Sequence, residues 1–273
     1  MGLKNVSDYY NQHVFDEDKR LDQHVFEMPL TLHFIEKYLE PGSTIFDVAC
    51  GTGRYADVLL KKGYHVAVND ISSKSIEITR NRIGNNKNLL KNATGNALNT
   101  SLWKEYSWDA VLMLGPMYHL VEYQSRIDLL KKASAHIKKG GYLFTGFMTR
   151  TGALIYGIKN NPEGIRSPNG ARKLWETGTD DDFVEATEWF THAYFSHPEE
   201  IKKKKKKSGL EPLHLAGAEG IFGERFEEFH TLPEYLKNQW MQFVIDHCED
   251  PHMLGHSKHL LSVSRQNKQV TRS

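Results

Sequence analysis

Cysteine is scarce: the 273 residues hold two, Cys50 and Cys248, far apart in the chain. They cannot form the disulfide framework of a small secreted scaffold, so a reducing, cytoplasmic setting is expected. An excess of either charge is also lacking. Lys and Arg total 35 against 34 Asp and Glu, a net charge of +1, which excludes a surface built throughout for nucleic acid. No run approaches the ~20 apolar residues that crossing a bilayer takes. The opening MGLKNVSDYYNQHVFDEDKR is polar and lacks the apolar stretch of a signal peptide. What remains is ordinary for a globular chain, 39% hydrophobic and 25% charged, and long enough to bury a sizeable core.

After the charged start, VFEMPLTLHFIEKYLEPG has the spacing of an amphipathic helix closed by Pro41 and Gly42. Short apolar runs then recur at 44–49, 65–69, 88–93, 108–114 and 141–147. Helical patterns separate them at 55–62, 73–82 and 125–139, each followed by a glycine. This alternation predicts an α/β fold, a doubly wound, mostly parallel sheet covered by helices on both faces. Beyond Phe147 the rhythm breaks. ATEWFTHAYFS reads as a strand, HPEEI as a helix start, LEPLHLAGAEG as an apolar run, 232–247 as a helix and HLLSVSRQ as a closing strand. A single domain over 1–273 is expected, with an N-terminal helical cap (1–42) and a ligand-binding core (43–147). Edge insertions at 148–195 and 217–256 are expected to wall a substrate pocket, and the tail NKQVTRS to fray.

The stretch IFDVACGTGRYADVLLKKGYHVAVND, from Ile45 to Asp70, carries the chemistry. A strand ends at a glycine turn, where the missing Cβ lets backbone approach a ligand. Such turns lie at the carboxyl edge of open α/β sheets, where ligands bind. Asp70 ends the next strand, placed to accept from ribose hydroxyls. Read as GTGRYA, Gly51 to Ala56, the turn matches the dinucleotide pattern G-x-G-x-x-A. Read as DVACGTG, Asp47 to Gly53, it resembles motif I of the class I S-adenosylmethionine-dependent methyltransferases.

Asp47 is an acid inside an otherwise apolar strand, a costly placement unless something satisfies it. In the methyltransferases this acid helps order the loop around the methionine portion. LLKNATGNAL supplies a third strand followed by Asn96-Ala97, where that family has Asp-Ala beside adenine. WDAVLMLGPMYHL matches its fourth strand and motif IV. No tyrosine has lysine four positions on, as a short-chain hydride-transfer enzyme would need. The chain is therefore similar to the methyltransferases, closest to small-molecule ones of type 11/25 that carry Arg20-Leu21-Asp22, Leu114 to Leu120 and Ala193 to Ile201. The resemblance implies a Rossmann-like seven-stranded sheet with its last strand antiparallel, and S-adenosyl-L-methionine as cofactor. It implies contacts from Tyr10, Arg20, Asp47, Ala49, Cys50, Gly51, Thr52, Gly53, Asp70, Ile71, Asn96, Ala97, Leu114 and Gly115. Ala49 stands where a glycine is usual, and Asn96 keeps an oxygen able to accept from the adenine amino group.

Methyl transfer needs an aligned nucleophile, and a base only if that nucleophile arrives protonated. His119, at the end of motif IV, is the candidate base, with a loop-holding role as the alternative. Tyr118 could line the substrate pocket or offer its ring face to the sulfonium. Tyr9 and Tyr10 with Arg20 could fold over the cofactor carboxylate or an acidic substrate, an ordinary charged surface helix being the alternative, and Tyr194 could reach the substrate. IKKKKKKSG suits a helix C-terminus and reads as a solvated or mobile helix. His247, Cys248, His252, His256 and His259 crowd together, yet Pro251 and Gly255 break any single helix that would align them, so no metal is expected.

The expected partner is a small-molecule acceptor, without nucleic acid or membrane, in an unknown oligomeric state. A nucleic-acid methyltransferase acting on base amino groups would carry Asn/Asp-Pro-Pro-aromatic, whereas Gly115-Pro116-Met117-Tyr118 lacks that side chain. A module that binds or senses the cofactor without turnover is the non-enzyme alternative.

Overall fold

The computed structural model describes residues 3–160, 162–166, 170–179 and 193–267. Two helices, α1 (Leu3–Arg20) and α2 (Glu27–Tyr38), precede the sheet. Then come β1 (Thr44–Asp47), α3 (Arg54–Lys61), β2 (His65–Asp70), α4 (Ser73–Ile83), β3 (Leu89–Thr94), α5 (Leu102–Glu105), β4 (Trp108–Met113), α6 (Pro116–His119), α7 (Tyr123–His136) and β5 (Ile137–Met148). Past β5 lie α8 (Arg150–Asn160), α9 (Ala171–Thr177), α10 (Pro198–Lys207), β6 (Leu210–Gly217), α11 (Phe226–Thr231), α12 (Glu234–His247), α13 (Pro251–His256) and β7 (His259–Gln266).

The strands form one seven-stranded sheet in the order β3-β2-β1-β4-β5-β7-β6. β1 through β5 pair in parallel, while β7 runs antiparallel to both β5 and β6. The antiparallel last strand and the doubly wound sheet therefore agree with the sequence. Strand order reverses at β1, which has β2 on one side and β4 on the other, and this is where open α/β sheets bind ligands.

Alternate residues of the central strands enter two separate cores. Ile45, Val66, Val68, Ala110, Leu112 and Phe144 join one cluster with α2, α3 and α4. Phe46, Ala67, Val111, Met113 and Leu143 join the other, with Trp103, Trp108 and α7. Strands buried on both faces read as continuous apolar runs, which is why they stood out in the sequence. Helix starts follow local chemistry. Ser72 Oγ accepts from Ser75 N–H at the head of α4, and Pro198 opens α10 with Glu199 and Glu200 in its first turn.

Two expectations change. The lysine tract is not a solvated helix throughout, because Lys204 and Lys205 are buried. Lys205 Nζ donates to Thr145 Oγ1 on β5, and Lys204 pairs with Glu200 at 3.2 Å and lies over the Tyr194 ring. With only Ile201 and Leu210 apolar near this helix, lysine stems supply the surface that docks α10 on the sheet. Burial pushes the Lys205 ammonium well below its usual range. Burial, then Arg126, brings Lys204 down to about 8. Tyr194, read as a substrate-pocket residue, packs elsewhere. The Arg126 guanidinium lies 3.5 Å from its ring centroid, and its hydroxyl donates to Glu200. Most of the strand read in ATEWFTHAYFS, residues 186–192, and the tail beyond 267 lie outside the described residues.

Candidate active site

The glycine turn after β1 is built by backbone. Gly51 has φ +54 and Gly53, at the head of α3, has φ +76. A Cβ on Gly53 would stand 2.6 Å from Thr79 Cγ2, so that glycine lets α4 pack against the loop. A Cβ on Gly51 would meet nothing within 4 Å, because the position faces open pocket. The Asp70 carboxylate fixes the turn by accepting from Gly51 N–H and Ser72 N–H, both at 2.9 Å. Burial raises Asp70 to about 6 against the lowering effect of these donors. Asp47 is buried, and its carboxylate accepts no hydrogen bond from the described residues. Burial, then the nearby Asp70 charge, push it up to about 8. Burial, then Asp70 and Asp47, also hold the Cys50 thiol protonated.

The pocket opens above the carboxyl ends of β1, β2 and β4. Its lining includes Tyr10, Asp47, Ala49, Cys50, Gly51, Thr52, Asp70, Ile71, Asn96, Ala97, Leu114, Gly115, Tyr118 and His119. The structure thus brings together the site residues read from the sequence except four, two of them Tyr9 and Tyr194, which pack elsewhere. Gly53 sits behind the turn, and the side chain of Arg20 lies outside the described residues. Asn96 faces the pocket, but its Oδ1 accepts from Leu98 N–H at 2.9 Å and so holds its own turn. The His247 to His256 segment does not contribute to the lining, whereas His259 does. Tyr9 stacks on His13 rather than lining the pocket.

Helix α1 lies across the mouth. Asn11 Oδ1 accepts from Ser72 Oγ and Lys74 N–H. The Asp18 carboxylate accepts from Thr52 Oγ1 in the glycine turn and from both Nη2 contacts of Arg82, which together with Arg54 hold it below its usual range despite burial. Arg54 donates to Asp18 O and to Asp22. At the middle of the helix, Tyr10 Oη stands 2.9 Å from His119 Nε2, with the rings edge-on. With the ring proton on Nδ1, Nε2 accepts from the tyrosine. Asp18, Arg54 and Arg82 carried no sequence signal beyond ordinary surface charge.

Residues 45–141 match the family model described as a methyltransferase domain. A human protein named Probable tRNA methyltransferase 9B is 30% identical over 120 residues, 42% of this chain and 23% of that protein. The match thus spans about a quarter of that relative's length. Ubiquinone biosynthesis O-methyltransferase of Coxiella burnetii is 26% identical over 194 residues, 69% of this chain and 73% of that one. Among solved structures, magnesium protoporphyrin IX methyltransferase from Synechocystis PCC 6803, with bound SAH, matches at a TM-score of 0.59 and 13% identity, covering 96% of this chain and 97% of that one. A SAM-dependent methyltransferase from Thermotoga maritima matches at 0.58 and 19% identity, covering 95% and 99%. These two likenesses show the fold.

Proposed function

We propose that this chain is a class I S-adenosylmethionine-dependent methyltransferase, a reading supported by the methyltransferase-domain match over residues 45–141, and that it transfers a methyl group from that cofactor to a small-molecule nucleophile. The carrying observation is the turn after β1: open space at Gly51, beside a buried Asp47 carboxylate with no hydrogen-bond donor among the described residues. A buried carboxylate in this state invites a cationic ligand, and S-adenosylmethionine brings both an ammonium and a sulfonium. Gly51 and Thr52 would border its methionine portion, Asp70 and Ile71 its ribose, and Asn96 and Ala97 its adenine.

When bound, the cofactor supplies a methyl group on sulfur that is displaced in line by a nucleophile. The chain's own residues have to position that nucleophile and, where it is protonated, remove its proton. Gly115 and Tyr118 after β4 border the acceptor space. His119 takes the acceptor proton, either directly or through the Tyr10 hydroxyl that it faces. Helix α1, tied at Asn11 and Asp18, covers the pocket against water, and Ala218 with the start of β7 completes its wall, whereas no described residue of 148–195, expected to wall it, lines it.

A small-molecule acceptor is favoured over nucleic acid by the burial of Lys204 and Lys205, which breaks up the chain's densest basic tract. No described helix is long and apolar enough to cross a membrane. Both cysteines are free, which fits the cytoplasmic setting we propose. The test is methyl transfer from labelled S-adenosylmethionine to pooled small-molecule extracts and, separately, to bulk transfer RNA. Label in the small-molecule pool supports the reading. Label in RNA alone replaces the acceptor class, and cofactor binding without turnover on either makes the chain a binding module.

A further inference from the structure

Beyond β5, the wall of the same pocket is formed by β7 and the end of β6, with Ala218, His259, Leu260 and Leu261. Glu219 follows β6 and is 2% exposed, rare for a carboxylate. Its Oε1 stands 2.6 Å from His259 Nδ1 and 3.9 Å from His24 Nδ1. The two imidazoles meet edge-on with centroids 4.7 Å apart, and one donor atom from each of the three residues lies within 4.8 Å of the others. Glu219 Oε2 accepts from His259 N–H at 3.2 Å, which fixes the carboxylate's orientation.

Three distant segments supply these groups: the connection between α1 and α2, the end of β6 and the first residue of β7. A carboxylate orienting one histidine would need only His259. A second imidazole places its Nδ1 3.9 Å from the same oxygen, so that three potential ligand atoms converge on one point. Two histidines and one carboxylate are a ligand set of catalytic zinc sites, with a fourth position left open. With metal bonds of about 2.0–2.1 Å, tetrahedral donors stand about 3.3 Å apart, between the two separations observed here. His259 lines the central pocket, and both histidines line the adjoining cleft with Tyr156 and Lys258.

We infer that His24, Glu219 and His259 hold a divalent transition cation of the zinc class at the pocket wall. The donor set then carries one negative charge, leaving a net positive centre whose open position suits an anionic oxygen or thiolate. This role toward the acceptor rests on the methyl-transfer reading, whereas the site itself does not.

The full chain, stripped with chelator and dialysed, is titrated with cobalt(II) while its visible absorption is followed, and then with zinc as competitor. One equivalent of cobalt should develop a low-coordinate band that zinc abolishes. Glu219→Gln, nearly isosteric, should weaken binding on the order of 100-fold, and His24→Ala similarly. Both should keep wild-type affinity for S-adenosylmethionine. If Glu219→Gln fails to fold by circular dichroism, the partly exposed His24 carries the test. Absence of a saturable band in the wild type, or an unchanged band in His24→Ala, overturns the site. A cobalt site that persists in a chain unable to bind S-adenosylmethionine would leave this inference standing and remove the function proposed above.

Discussion

The two sides of the central pocket are made of different material. Beneath the turn after β1, the ligand-facing groups are mainly backbone, held by two glycines and by an Asp70 carboxylate spent on N–H groups. Elsewhere in the lining they are side chains: Tyr10 meets His119 across 109 positions, and His259 pairs with Glu219, which lies outside the lining. A backbone cradle fixes a constant ligand part with little dependence on neighbouring side chains. A side-chain wall can change its chemistry by single substitutions, which suits a variable acceptor.

The largest effect that could break this contrast falls on the backbone side. Gly51→Val should weaken S-adenosylmethionine binding at least about 100-fold by calorimetry, since it fills the cradle and strains a positive φ. The fold should survive, because a Cβ there meets no protein atom. Intact affinity would mean that the cradle holds something else.

On the side-chain wall, His119→Ala should lower turnover about 100-fold with the cofactor affinity nearly unchanged. Tyr10→Phe should lower it about tenfold and move the pH–rate profile. If both variants keep the wild-type profile, the pair is a structural tie between α1 and α6.

The carboxylates sharpen the comparison through pH. Asp47 stands near 8 in the folded chain against its ordinary 3.8. The fold therefore holds a proton that the unfolded chain has lost, and the stability of the ligand-free protein should fall as pH rises from about 4 toward about 8. A cationic ligand favours the ionised form, so cofactor binding should release a proton and tighten from about pH 6 to about pH 8. Calorimetry in buffers of differing ionisation enthalpy measures that proton, and Asp47→Asn should abolish its release.

The smallest effect concerns the cap. Asp18→Asn weakens the tie to Thr52 and Arg82 and should speed cofactor dissociation a few-fold, about 1 kcal/mol for a partly exposed charged contact. Stopped-flow dissociation rates read this directly, and an unchanged rate would show that α1 does not gate the pocket.

The same division explains what the sequence disclosed. The sheet was legible because strands buried on both faces are unbroken apolar runs, and the cofactor side because its groups are contiguous between Asp47 and Asp70. Tyr10 and His119 were each visible, yet their meeting across 109 positions was not. His259 was seen among neighbouring histidines, whereas its partners are Glu219 and His24, brought in by strand pairing and the N-terminal connection. The lysine tract misled because charge was taken for exposure. With no other apolar face for α10, the stems of Lys204 and Lys205 became its core surface.

Titration calorimetry of the purified chain with S-adenosylmethionine, its demethylated product and NADH tests the central claim most directly. One-to-one, mutually competing binding of the two adenosyl compounds, lost in Gly51→Val and absent for NADH, is the result this structure predicts. Saturation by NADH with no heat from either adenosyl compound would contradict it.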